Sequence, residues 1–227
     1  MKKFNKTKYQ VLKKVITKDV ASFFTDYYFL KQQVAFKLLK DRFITAKDNS
    51  WGVWDDPQAP FSYSCYADLV AETLLITLQP LIEKTTGQKL LPTYSYMRIY
   101  KKGDVLKKHH DRLSCEISAT LNLSGDAWPI YFKELNDRTK DKKIFSKDKK
   151  IVLKPGDLAV YKGCELDHWR EAYEGEHCVQ VFLHYTNEKN KELMFDTRDM
   201  LGLPNAFKKF VDGSRIDFIN KIIKENS

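Results

Sequence analysis

The sequence predicts an α+β protein in which helices come first and buttress an antiparallel β sandwich or barrel. Two observations predict it. The long stretches of helical apolar spacing come before residue 90. After that point come short β-like runs separated by turn residues. All five histidines, His109, His110, His168, His177 and His184, fall in the β-rich part.

Residues 9–16 suit a short strand. Thr17 is placed to cap a long amphipathic helix over 18–42, because Val20, Phe23, Phe24, Tyr27, Tyr28, Val34 and Leu38 recur at helical spacing. Residues 46–63 break all periodicity, with two tryptophans and two prolines in WGVWDDPQAPF, and read as an ordered loop. A second helix is expected over 67–84, bent at Pro80 and stopped by Gly87. Strands are expected at 93–100, 116–123, 129–133, 150–153, 158–161 and 178–185. Phe207, Phe210, Val211, Ile216, Ile219 and Ile223 suit one or two short helices in the tail. The organisation expected is one domain over 1–227, with helical support at 17–88, the barrel at 90–187 and a helical tail at 204–225.

At 227 residues, 43% of them hydrophobic and 30% charged, the chain has the composition of one soluble domain. No apolar run approaches the ~20 residues of a membrane span. The basic start MKKFNKTKYQ lacks the apolar stretch of a secretory signal, so a cytoplasmic location and no membrane partner are expected. Cys65, Cys115, Cys164 and Cys178 form no C-x-x-C pair and read as reduced thiols in or near the core. The net charge of +9 is read as solubility, and the basic run 140–154 as a hairpin arm, so nucleic acid is not the expected partner.

The stretch from Tyr100 to Asp111 carries the chemistry. Residues two apart on a strand share a side, so His109 and Asp111 can present an imidazole and a carboxylate to one ion while His110 faces away. His168 follows a strand-like segment and can supply a third ligand. Two histidines and one carboxylate leave open positions on an octahedral ion, an arrangement suited to oxygen-activating iron(II). His110 and His184 read as structural.

Tyr100-x-x-Gly103, His109-x-Asp111, Leu153-Lys-Pro-Gly-Asp157 and His168 together resemble the 2-oxoglutarate and iron(II)-dependent oxygenase superfamily, on its prolyl 4-hydroxylase-like branch, over residues 90–185. The resemblance implies a double-stranded β-helix, a cupin-like jelly-roll barrel with His109, Asp111 and His168 as catalytic metal ligands at its mouth. It implies Fe(II), 2-oxoglutarate as co-substrate and O2, and it places Tyr100 against 2-oxoglutarate. Alternation puts Tyr96 and Arg98 on the side of Tyr100, where Arg98 either grips a carboxylate of the 2-oxo acid or pairs internally with an acid such as Glu116. The family's arginine or lysine about ten residues after the distal histidine is missing here. His177, Gln180 and Arg170 are the stand-ins, with His177 and Arg98 ranked first, Gln180 next and Arg170 last.

The resemblance implies hydroxylation of a protein or peptide side chain, prolyl the leading guess, or of a small molecule. The alternatives are a nucleic-acid demethylase and a binding or regulatory module that keeps the metal site without turnover. A zinc or manganese protein of cupin type, indifferent to 2-oxoglutarate, is a further one. Trp51, Trp54, Phe61 and Trp169 are expected to cover the site as an aromatic lid. The sequence does not specify an oligomeric state.

Overall fold

The computed structural model describes residues 2–45, 50–133, 148–204 and 222–225. The basic run expected as a hairpin arm and the tail expected as helices lie mostly outside these residues.

Helix α1 (Lys2–Thr7) leads into strand β1 (Tyr9–Leu12), shorter than the predicted 9–16. Helix α2 (Lys18–Lys40) starts where expected, with the Thr17 hydroxyl accepting from the Val20 N–H. An unpredicted strand β2 (Tyr63–Tyr66) precedes helix α3 (Leu69–Thr86). Asp68 caps α3 through the Val70 and Ala71 N–H groups. The helix runs on through Pro80 and ends at Gly87, whose φ of 74° and bond to the Glu83 carbonyl make a left-handed cap.

The remaining strands are β3 (Leu90–Lys101), β4 (Leu106–His109), β5 (Ile117–Ser124), β6 (Ile130–Phe132), β7 (Lys149–Ile151), β8 (Leu158–Lys162), β9 (His168–Arg170) and β10 (His177–Asn187). They form two antiparallel sheets, one of order β1-β8-β5-β10-β3-β2 and one of order β4-β9-β6-β7. This is the α+β double-stranded β-helix expected. Met97, Ile99, Leu121, Val160, Val181 and Leu183 turn outward from the larger sheet, into a core shared with Leu75 and Ile82 of α3 and Tyr28 of α2. The alternate residues of the same strands face the interior of the barrel.

Lys154–Asp157 is the predicted Pro-Gly-Asp turn, with the Asp157 N–H bonded to the Lys154 carbonyl. Gly156 has φ 87°, and a Cβ there would overlap the Ile16 carbonyl. The Asp157 carboxylate accepts from the Lys14 and Lys154 N–H groups and from the Lys13 ammonium, tying the chain after β1 to the start of β8. All four cysteines are free; Cys65, Cys115 and Cys178 are buried and Cys164 partly so.

Candidate metal centre and cavity

His109 ends β4 and His168 opens β9, and the two are cross-strand partners in the smaller sheet. Their rings lie 4.3 Å apart. Asp111 falls just beyond β4, where its N–H bonds to the Gly163 carbonyl at 2.9 Å. One ligand atom from each of the three residues lies within 4.8 Å of the others. Asp111 Oδ1 is 3.6 Å from His109 Nε2 and 3.5 Å from His168 Nε2. His110 turns aside to Asp167, 3.0 Å away, as alternation requires.

The tautomers follow from the hydrogen bonds. His109 Nδ1 lies 2.7 Å from the Lys107 carbonyl and His168 Nδ1 3.0 Å from the Leu166 carbonyl, so both nitrogens donate. In the neutral rings both Nε2 lone pairs then converge on a carboxylate oxygen, an arrangement that a cation satisfies. Burial pushes the Asp111 carboxyl up, but His109 and His168 outweigh it and hold it well below the usual carboxylate range. Burial pulls His109 down, and the Asp111 carboxylate and Lys107 carbonyl reverse the effect, leaving it raised.

Two features escaped the sequence. Gly163 lies against Asp111, where a Cβ would overlap Asp111 Oδ2, Ser118 Oγ and the Cys115 carbonyl. Ser118 Oγ donates to Asp111 Oδ2 at 2.6 Å and also meets His184 Nδ1 at 3.0 Å. His184, expected to be merely structural, lines the cavity, and burial pushes it down to about 4. Its β10 parity was legible, since it is two and four residues from Phe182 and Gln180 on an alternating strand.

The triad opens on a cavity of about 740 Å³ whose walls include Tyr94, Tyr96, Arg98, Tyr100, Thr120 and Phe182. Arg98 and Tyr100 are thus both on the cavity, as alternation predicted. Arg98 is nevertheless paired internally: its guanidinium holds Asp56 and donates to Tyr100 Oη at 2.7 Å. The partner is not Glu116, which instead accepts from the Asn187 N–H. Burial pushes the Asp56 carboxyl up, and Arg98, with Tyr96, brings it net below its ordinary value.

His177 is not brought to the cavity. It sits half exposed at the start of β10, beside Glu176 and against Phe29, because its odd parity relative to Gln180 turns it outward. Gln180 is buried and its amide donates to Asn122 Oδ1 at 2.8 Å; neither Gln180 nor Arg170 is among the residues that line the cavity. Arg170, ranked last, is fully buried two residues beyond His168 on the same side of β9. It donates to the Trp128 carbonyl and, at 3.4 Å, to Gln180 Oε1; its Nε has no partner, and none of the described carboxylates pairs with it.

The aromatic lid is not formed. The 46–63 loop does reach the cavity, but through Val53, Asp55, Asp56, Pro57 and Gln58. Trp54 packs on Tyr63 and Phe36, Phe61 is 81% exposed, and Trp169 stacks on Tyr131 with the Lys108 ammonium over its ring. Trp51 is partly exposed, and its carbonyl accepts from the Tyr63 hydroxyl.

No protein-family model and no curated protein sequence matches the chain. Solved structures do. A prolyl-4-hydroxylase from Pseudomonas putida superposes with a TM-score of 0.55 at 10% identity, covering 81% of this chain and 95% of that one. HygX from Streptomyces hygroscopicus, solved with nickel, 2-oxoglutarate and hygromycin B bound, gives 0.56 at 14%, over 82% and 86%. EctD from S. alaskensis, with 2-oxoglutarate and 5-hydroxyectoine, gives 0.56 at 17%, over 82% and 74%. The likeness establishes a shared jelly-roll fold.

Proposed function

We propose that the protein is a non-haem iron(II) oxygenase that uses 2-oxoglutarate and O2 to hydroxylate its substrate. The observation that carries this reading is the convergence of His109 Nε2, His168 Nε2 and an ionised Asp111 oxygen in the wall of one cavity. Iron(II) held there would supply, with 2-oxoglutarate and O2, an oxidant able to attack a C–H bond. The protein's part is to fix the two imidazoles by their Nδ1 bonds, to anchor Asp111 on Gly163 and Ser118, and to limit access of water.

For the far carboxylate of 2-oxoglutarate we assign Arg170, reversing the order expected from sequence. A fully buried guanidinium with no counter-charge is costly until an anion meets it, whereas Arg98 already has Asp56. Tyr100, edge-on to Trp128, which itself stacks beneath Arg170, would complete that end of the site. The cavity volume suits a side chain of a peptide or protein, prolyl being the leading guess, or a small molecule.

Anaerobic titration with iron(II) and then 2-oxoglutarate tests the reading. A visible charge-transfer band that needs both components and vanishes in His168→Ala is expected. Iron binding without a band would remove 2-oxoglutarate from the proposal, and no iron binding would overturn it. Arg170→Ala is expected to weaken 2-oxoglutarate at least tenfold, on the order of the loss of a charge-assisted bond. An equal or larger loss in Arg98→Ala, with Arg170→Ala unaffected, would return the assignment to Arg98.

A further inference from the structure

His184 lies one step removed from the metal centre, and its hydrogen bonds leave one nitrogen unused. The contact between Ser118 Oγ and Asp111 Oδ2, at 2.6 Å, joins a hydroxyl to an ionised carboxylate, so the single hydroxyl proton lies between them. The Cys115 carbonyl, 3.3 Å from Ser118 Oγ, is a further acceptor and competes only for that same proton, so toward His184 Nδ1, at 3.0 Å, Ser118 Oγ can only accept. This places the proton of the neutral His184 ring on Nδ1 and leaves Nε2 a bare acceptor.

That acceptor has no protein partner among the described residues. The ring is held by its bond to Ser118 and by the face of Tyr94, 4.6 Å away, which is itself packed between Tyr66 and the Arg112 guanidinium. His184 is 6% exposed, and its ring contributes to the cavity wall. Nε2 is not among the fully buried atoms left without a partner, so it is open to the cavity that the ring lines, and its hydrogen-bond capacity is met from there. Only water or a bound molecule can meet it, within two hydrogen bonds of Asp111.

We infer that His184 is a substrate-recognition residue, whose Nε2 accepts a hydrogen bond from an N–H or O–H of the molecule oxidised at the adjacent metal. The inference rests on the oxygenase reading for the word substrate, and on the bonds around Ser118 for the acceptor. It narrows the substrate class to molecules presenting an ammonium, amide or hydroxyl donor near the carbon that reacts. The proline ring of a peptide has no such donor of its own, so a peptide would have to offer a neighbouring backbone N–H.

The test is 15N NMR of histidine-labelled protein loaded with zinc(II) and 2-oxoglutarate at pH 7.5. The His184 Nδ1 signal should be that of a protonated nitrogen and the Nε2 signal that of an unprotonated one. Added methylammonium, a donor, should shift the Nε2 signal, and tetramethylammonium, with the same charge and no donor, should not. A protonated Nε2, or an Nε2 that ignores methylammonium, would overturn the inference. His184→Asn keeps a donor for Ser118 and removes the second nitrogen; its zinc(II) affinity should stay within about threefold of the parent. A larger loss would make His184 a support for Asp111 and nothing more. If 2-oxoglutarate leaves the spectrum of the zinc(II) protein unchanged, the oxygenase reading fails while the Nε2 result stands separately.

Discussion

At the scale of single residues, the candidate centre depends as much on what is absent as on what is present. Gly163 leaves the space that Asp111 and Ser118 fill. Gly163→Ala would drive a methyl group into both, and Asp111 would be the side chain to move. We expect iron(II) or zinc(II) affinity to fall at least tenfold, the range for disturbing a ligand's support, with a stability cost of about 1–3 kcal/mol for overpacking. Calorimetric titration and urea unfolding measure the two effects; unchanged metal affinity would separate Gly163 from the centre. His109, Asp111 and His168 could be read from sequence because a strand's alternation and a motif mark them. Ser118 and Gly163 could not, since one hydroxyl and one glycine carry no pattern until the sheets bring them to Asp111, and for His184 the strand parity was legible but the contact with Ser118 was not. His177 misled for the converse reason: its offset from His168 suited the motif while its strand parity faced it outward.

At the scale of elements, the long units were legible, as were the short strands β1, β6 and β7, whereas α1, β2, β4 and β9 were not placed as elements. Helices α2 and α3 and strands β3, β5, β8 and β10 have enough residues to express a period and a cap. Strands β4 and β9, with four and three residues, have neither, and they are strands because each pairs with the other. The loop between α2 and β2 was read correctly as irregular but wrongly as aromatic cover. Asp56, rather than a ring, fixes it, through Arg98 and the Tyr96 hydroxyl. Both partners of that ion pair are at most about a tenth exposed, so removing one strands the other in the barrel. Asp56→Ala should therefore cost about 3–5 kcal/mol, and Asp56→Ala with Arg98→Leu should recover much of it. Urea unfolding of the parent, both single variants and the double variant tests this; strictly additive losses would mean that the pair is not coupled.

At the scale of the whole molecule, the α+β class with an antiparallel sandwich or barrel was legible from the order of helical and β-like segments, while the double-stranded β-helix was supplied by resemblance alone. The overall charge of +9 proved uninformative about the centre, whose pH response comes from a few buried groups. His184 titrates at about 4 in the folded chain against roughly 6.5 for a free histidine. Between those values the unfolded chain binds a proton that the native chain refuses, so stability falls as pH falls, by roughly 3 kcal/mol across the window. His109, raised in the metal-free protein, acts in the opposite sense and stabilises the native chain as pH drops through its own titration. The total curve therefore mixes both, and the difference between the parent and His184→Asn isolates the first. Below the window, Asp56, Asp157 and Asp196 take over. Their folded values lie below the ordinary one, so the stability they contribute is present above about pH 4 and is lost as pH falls through those depressed values. Urea unfolding of the metal-free protein from pH 7.5 to 3.5 should give a parent whose stability, relative to His184→Asn, declines between pH 6.5 and 4. Below that, both proteins should fall together. A constant difference across the window would mean that His184 keeps its ordinary affinity for protons in the folded chain, and that its ring is not held neutral beside Asp111.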